Sequence, residues 1–333
     1  MKIFNKSRIA WTISALFLVA VTSCSKDKTV VQSPSAGQIL FTSEQAGLTV
    51  KSALNIKSDF VADAGLTLKT TINGVVTSWI AGTDKTGIYC PQAYTLPNNS
   101  GTNPILNNQY SAKTTAASSD FTPLNAMYWG GGAGTSHNFY AYYPFSGSFG
   151  SPAAASVPVG LLDIQSQLVA NDSTHIGGLD FLVASPVVVV APDNTSLTEN
   201  TVHLTYNHLF SIVQFDIYGS GTISGISLSG TDLAVAGALI DITQVTPTPG
   251  VAYKLANGGS KTGTVIVNLA TAATLSLTTP TKVYMVIYPG YAGFCTIEFL
   301  NGGSWKNSQS KPAPTGGFVR GQKYVVTVNA GAL

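Results

Sequence analysis

The chain has 333 residues, of which 17 are basic and 15 acidic, and charged residues make up only 10% of it. Soluble domains usually contain about 25% charged residues, so Ser, Thr, Asn and Gly must supply much of the polar surface. A nearly neutral chain lacks the basic patch that follows a phosphate backbone, which excludes nucleic acid as an expected partner. The chain is too long for one comfortable hydrophobic core, and this favours two domains.

The N-terminus has the pattern of an export signal. Three basic residues, Lys2, Lys6 and Arg8, precede a charge-free, mostly apolar run of thirteen residues at 9–21. A bilayer-spanning helix needs roughly 20 residues, so this run predicts a signal peptide over residues 1–23 that is removed from the mature protein. Without those three bases the mature chain carries 14 basic and 15 acidic residues, a net charge of −1.

Cys24 directly follows the signal, behind the small residues Thr22 and Ser23. This arrangement resembles a bacterial lipobox and implies cleavage by signal peptidase II between Ser23 and Cys24, with lipid attached to Cys24. The alternative is an ordinary cleavage site with an incidental cysteine. Each buried methylene of an acyl chain contributes about 0.8 kcal/mol to membrane binding, so outer-membrane lipid is the expected anchor. Residues 24–36, which are rich in Ser, Thr, Lys and Pro, predict a flexible tether.

Strand patterns dominate the chain after residue 37. Alternating, β-branched or aromatic runs predict strands at 37–41, 70–76, 202–206, 212–218, 263–267, 282–288 and 323–328. Residues 160–167 are the best candidate for a short helical turn, and no longer segment has a capped helical repeat. Many short strands with Gly- and Asn-rich turns between them predict an all-β protein built from sandwiches or barrels.

A polar, proline-containing segment at 191–200 lies between two apolar runs and predicts a domain boundary near residue 197. The expected domains are therefore 37–197 and 198–333.

Six motifs occur in the order in which a known family carries them, between residues 79 and 328. Together they resemble the fimbrillins of Bacteroidetes, the lipoprotein pilins and adhesins of type V pili. The motifs are SWIAGTDKTGIY at 78–89, Tyr110 with Trp129, HNFYAYYP at 137–144, LDFLVA at 179–184, VHLTYNHLFSIVQF at 202–215 and GFVRGQKYVVTV at 317–328.

The resemblance implies two transthyretin-like β-sandwich domains in tandem. It also implies a pilus subunit or pilus-associated adhesin on the outer membrane, in the fimbrium, which mediates cell adhesion. Its partners would be other pilus subunits, joined by strand exchange after a protease removes the first strand, and a host or bacterial surface ligand. An exposed strand edge is a template for such strand addition.

The sequence departs from this family at the maturation site, where an arginine is usual. Its only arginines are Arg8, in the signal, and Arg320, near the C-terminus. Processing after a basic residue would then fall at Lys51 or Lys57, and a role as an unprocessed tip or anchor subunit stays open.

Catalytic and metal-binding patterns are not found in the sequence. It has no GxSxG elbow, no paired carboxylates and no Cys/His spacing typical of zinc, so we expect no enzyme, no cofactor and no metal site. His203 and His208 are five residues apart on a predicted strand and should point to opposite faces. A packed, hydrogen-bonded role is expected for His208.

Three further features admit two interpretations each. The aromatic run at 139–145 either fills a core or stacks on sugars, and the core is favoured. Cys90 and Cys295 either pair or remain buried thiols. The triplet from Asp172 to Thr174 resembles an O-glycosylation pattern of the Bacteroides group and makes Ser173 a candidate acceptor. For the whole protein, the alternative to a pilus role is a non-polymerising surface lipoprotein that binds glycan or another host ligand.

Overall fold

Extended strands make up the fold of the described part of the chain. The computed structural model describes residues 37–45, 49–52, 78–147, 156–192, 201–244, 255–257 and 259–333. In these ranges there is no α-helix, and short 3-10 turns lie at Thr174–Gly178 and Ile242–Gln244. The all-β prediction is confirmed. The predicted strand at 70–76, the signal peptide and the tether lie outside the described residues.

The strands are numbered in chain order. They are β1 (Gln38–Gln45), β2 (Thr49–Ser52), β3 (Lys85–Cys90), β4 (Ile105–Ala112), β5 (Ser118–Pro123), β6 (Met127–Tyr128), β7 (Ser136–Tyr143), β8 (Val157–Leu161), β9 (Ile164–Gln167), β10 (Leu182–Ala184), β11 (Val187–Val190), β12 (Thr201–His208), β13 (Ser211–Ser220), β14 (Thr222–Ile240), β15 (Leu255–Asn257), β16 (Ser260–Thr274), β17 (Thr281–Ile287), β18 (Phe294–Asn301), β19 (Ser304–Pro312) and β20 (Gln322–Ala332).

The first sheet wraps around an aromatic core. Its strand order is β10-β12-β1-β5-β4-β3-β7-β11, β6 adds to β1, and pairing of β10 with β7 closes the sheet on itself. The core inside it, called the first core here, is centred on Trp79, whose ring meets those of Phe121, Tyr143 and Tyr206 edge to face at 5.1–5.4 Å. Edge-to-face packing is the arrangement that aromatic quadrupoles prefer.

Two further sheets face each other across a second core. One has the order β17-β13-β20-β2, and the other has the order β19-β18-β14-β16-β9, with β8 and β15 added to β14. The inward side chains of both sheets, among them Phe215, Met285 and Phe299, are fully buried between them. Fully burying each such side chain contributes about 1.5–3 kcal/mol.

A third buried cluster joins strands from both halves of the chain. Tyr89, Tyr142 and Phe181 pack there with Phe210 and Tyr284. The described residues between 37 and 333 belong to one compact unit. β8 and β9 belong to a sheet of the second core, whereas β12 belongs to the first sheet. The boundary near residue 197 stays a prediction.

The helical turn predicted for residues 160–167 is wrong. These residues form the end of β8 and the whole of β9, and the burial alternates along β9, with Gln165 and Gln167 buried and Ile164 exposed. The prediction failed because the buried positions carry polar amides and an exposed one carries an apolar side chain. A pattern of hydrophobicity therefore cannot show the period of two that a strand requires.

Cys90 and Cys295 are free thiols in different cores. Cys90 lies in the first core and Cys295 in the second, and both are buried. Of the two interpretations, the structure supports buried thiols rather than a disulfide. Burial raises the pKa of each thiol to about 12, which leaves both in the unreactive protonated form.

Candidate assembly site

Strand β1 occupies a central position in the first sheet although it is the first strand described. It pairs in parallel with β12, from Leu40 opposite Thr201 to Gln45 opposite Tyr206. On its other side it pairs antiparallel with β5 and, at its start, with β6. Removing β1 would therefore leave unpaired backbone groups on both neighbours, which is an acceptor slot for another strand.

Alternate side chains of β1 fill the first core. Ile39 and Phe41 are each 1% exposed. The ring of Phe41 contacts those of Tyr110 and Phe139 edge to face, with centroids 4.9 and 5.5 Å apart. Ser43, next on the same face, donates a hydrogen bond to the Ser119 carbonyl oxygen at 3.4 Å. A strand that takes this place must supply two apolar side chains in the same alternation.

The chain next contributes β2 to a different sheet. β2 pairs in parallel with β20 and forms the edge of the β17-β13-β20-β2 sheet, and the backbone of Lys51 stands opposite Tyr324. Lys51, a candidate maturation site, thus lies within this edge strand. Lys57, Ser23 and Cys24 lie outside the described residues.

An open depression adjoins β1 and its neighbours β5 and β12. It has a volume of about 400 Å³. Its lining comes from β1, β5 and β12: Thr42, Ser43, Ser118, His203, Leu204 and Thr205. Because β1 contributes part of the lining, loss or exchange of this strand would change the shape of the depression.

His208 is a structural histidine at the crossing from β12 to β13. It is 2% exposed, and its Nδ1 is 2.7 Å from Asp180 Oδ2. Its backbone carbonyl accepts from Arg320 Nη1 at 3.5 Å, and the nearby carbonyl of Phe210 accepts from Gly321 N–H at 2.8 Å. Three of the family-like motifs therefore meet here, and the packed, hydrogen-bonded role predicted for His208 is confirmed.

Of two further histidines, His203 is exposed to solvent and His137 is buried and hydrogen-bonded. His203 is exposed, so the prediction that it and His208 point to opposite faces is confirmed. Buried His137 accepts from Gly130 N–H at 3.0 Å and stands 3.0 Å from the Thr135 carbonyl oxygen. Burial lowers the pKa of His137 below its ordinary value, so its ring is neutral at pH 7.

The aromatic strand β7 faces inward. Phe139 and Tyr142 are buried, and Tyr140 and Tyr143 are half-buried. Tyr142 donates a hydrogen bond to Asn107 Oδ1 at 2.9 Å. The core interpretation of this aromatic run is confirmed.

Ser173, the candidate glycosylation acceptor, precedes the 3-10 turn Thr174–Gly178 and is half-buried. Asp172 Oδ1 accepts from Thr174 N–H at 2.9 Å, so the triplet forms a tight turn on the surface. Glycosylation of Ser173 stays a prediction.

The described residues contain neither a cluster of metal ligands nor a membrane-spanning helix. In these ranges no three His, Cys, Asp or Glu side chains come together in a way that could hold a metal ion. No helix long and apolar enough to cross a bilayer is found in the same part of the chain.

Two features of the fold were not predicted from the sequence. The run at 37–41 predicts a strand, but not that this strand is inserted between β12 and β5. Strand β9 could have been recognised from the alternation of Gln165 and Gln167 with Ile164 and Ser166. That alternation indicates a strand only if glutamine is accepted as a buried side chain.

Comparison with known proteins agrees with the fold. The family described as fimbrillin-like matches residues 70–332. Among curated proteins none matches the chain. A crystal structure of a candidate cell adhesion protein from Bacteroides uniformis is similar, with 17% identity, a TM-score of 0.50 and coverage of 89% of this chain and 94% of that one. A second one, from Bacteroides ovatus, has 15% identity, a TM-score of 0.50 and coverage of 89% and 93%. These two likenesses concern the fold. Because the family match extends over well more than half of the sequence, the chain belongs to the fimbrillin-like family.

Proposed function

We propose that this protein is a surface-exposed pilus subunit or pilus-associated adhesin that assembles by exchange of a β-strand and mediates cell adhesion. The observation that carries the proposal is the central place of β1, which pairs on both sides and fills the first core with Ile39 and Phe41. Membership of the fimbrillin-like family supports it and favours a structural rather than an enzymatic role.

The geometry indicates how exchange would proceed. A cut after Lys51 or Lys57 would separate β1, together with three or all four residues of β2, from the rest of the chain. Both strands would then be held only by their hydrogen bonds and side chains. Each backbone hydrogen bond contributes about 0.5–1.5 kcal/mol net, whereas an unpaired buried group costs about 1–3 kcal/mol. The slot is therefore stable only when filled, and a strand from a neighbouring subunit would replace β1.

Burial of Arg320 supports processing at a lysine. Arg320 is 4% exposed and holds the His208 carbonyl, so a protease cannot reach it in the folded protein. The other arginine, Arg8, lies in the predicted signal. Lys51 or Lys57 would then be the cut site.

Attachment to the outer membrane would come from lipid on Cys24. Signal peptidase II would cut between Ser23 and Cys24, and residues 24–36 would connect the lipid to the fold. Several acyl chains on one residue would hold the protein at the membrane surface, since each methylene adds about 0.8 kcal/mol.

Intact-mass analysis of the mature N-terminus tests this proposal. Outer membranes and sheared surface material should be measured separately, from wild-type cells and from cells with Lys51→Gln and Lys57→Gln together. We expect the sheared polymer to begin just after Lys51 or Lys57, and the double variant to retain β1 and to yield no polymer. If cells without this protein have unchanged filaments, adhesion and biofilm, the proposal is wrong.

A non-polymerising lipoprotein that binds glycan or a host ligand is the competing function. It would be indicated by a single mature species that begins at lipidated Cys24 and stays with the membrane. Strand β7 gives it no support, because its aromatic rings pack in the core.

A further inference from the structure

Strand β17 is the edge of its sheet, yet the backbone N–H and C=O groups on its outer side are hydrogen-bonded. β13 lies on one side of β17, in register from Ser211 opposite Ile287 to Ile217 opposite Thr281. On the other side no strand pairs with β17 within the described ranges. Backbone groups alternate in direction along a strand, so those of every second residue point to this outer side.

Two buried glutamines bond these outer groups. Gln165 accepts from Val286 N–H at 3.0 Å and donates to the Val286 carbonyl at 2.6 Å. Gln167 accepts from Tyr284 N–H at 2.9 Å and donates to the Lys282 carbonyl at 3.2 Å. Gln165 is 1% exposed and Gln167 is fully buried.

The remaining outer groups have partners of the same kind. Asn171 accepts from Lys282 N–H at 2.8 Å with its side chain and donates its own backbone N–H to the Lys282 carbonyl at 2.8 Å. His175 Nε2 lies 3.0 Å from the Tyr284 carbonyl oxygen and donates to it. All six outer N–H and C=O groups of residues 282, 284 and 286 are thus paired without a neighbouring strand.

A side-chain amide can stand in for a peptide group because it offers a donor and an acceptor in one plane. The backbone of β9 belongs to the opposite sheet, where it pairs with β16 from Ile164 opposite Ile266 to Gln167 opposite Leu269. The side chains of β9 therefore close one side of the second core and cover an edge that would otherwise attract a strand.

We propose that Gln165, Gln167 and Asn171 substitute for a strand along β17, so that a second copy of the chain cannot add a strand at this edge of the sheet. The inference rests on the proposed function, since a chain that assembles by exchanging a strand at the β1 slot must not also add strands at β17. The β17 edge is covered at residues 282–286 by side chains from β9 and from the residues that follow it. The β20 edge is covered by β2 at residues 322–325, and further along it the side-chain amides of Asn307 and Gln309 donate to the Ala330 and Asn329 carbonyls.

The unprocessed full chain with Gln165→Met and Gln167→Met together tests this inference. Methionine keeps the length and packing of glutamine but removes the amide. Hydrogen exchange at single amides should rise roughly ten-fold or more at Tyr284 and Val286, as expected for loss of one hydrogen bond each. Exchange at Met285, whose N–H points to β13, should not change. Sedimentation should show self-association that grows with concentration, whereas the wild-type chain stays monomeric.

Gln309→Met is the matched control. Gln309 donates to the Asn329 carbonyl of β20 at 2.7 Å, and β13 separates β20 from β17, so its loss should leave hydrogen exchange at Tyr284 and Val286 unchanged. Should the double variant fail to fold, Gln165→Met alone should still raise exchange at Val286 and start association.

The inference would be overturned if the double variant showed unchanged hydrogen exchange at Tyr284 and Val286. It would also be overturned if exchange at these amides rose but the variant stayed monomeric. Either result leaves exchange at the β1 slot intact, because that is tested by the mass of the sheared material. Conversely, the double variant could show faster exchange and self-association although the protein forms no filaments in cells. That result would contradict the pilus role and would still support the closed β17 edge.

Discussion

Replacing Phe41 by Ala tests whether β1 is held mainly by its core side chains. Truncating a buried Phe to Ala costs about 3–5 kcal/mol. The two edge-to-face contacts of Phe41, with Tyr110 and Phe139, each contribute about 0.5–1.5 kcal/mol and place the expected loss in the upper half of that range. Native domains are stable by only about 5–15 kcal/mol, so the variant should lose a large fraction of its free energy of unfolding.

Urea unfolding of the unprocessed chain measures this loss, and Leu40→Ala is the control. Leu40 is half-buried on the other face of β1, so its truncation should cost roughly 1 kcal/mol. A loss below about 1 kcal/mol for Phe41→Ala would refute the reasoning, because β1 would then be held by its backbone alone. In polymers that have exchanged β1, Phe41→Ala should have no effect on stability.

Three further predictions concern single groups. Asp180→Ala leaves buried His208 without its partner and should lower the free energy of unfolding by about 1–3 kcal/mol, measured in urea; a neutral result would contradict the structural role. Because burial lowers the pKa of His137, the unfolded chain binds more protons just below the ordinary value of 6.5. Stability should therefore fall as the pH drops below about 6.5, and His137→Gln should reduce this slope in urea titrations at several pH values. Cys90 and Cys295 should react with a thiol reagent only after unfolding, and fast reaction of the native protein would contradict their burial.

Local sequence patterns predict a strand correctly where its buried positions carry apolar side chains. β12, β13, β17 and β20 alternate or run apolar, and the sequence predicts each of them. Asp180, Arg320 and Gly321, from two other motifs, meet the β12 motif close to His208. β9 was missed because its buried positions carry amides, and only a partner strand outside the local sequence makes a buried amide favourable.

The sequence alone predicts an all-β protein, because side-chain alternation is a local property of a strand, and the family resemblance favours a core role for the aromatic strand β7. It also carries the motifs of the fimbrillin-like family. It does not show that β1 lies between β12 and β5, that β2 lies at the edge of another sheet, or that two glutamines close the edge of β17. These features are seen only in the fold. Strand pairing joins residues that are far apart in the chain, so the sequence of one strand does not specify which strands pair with it.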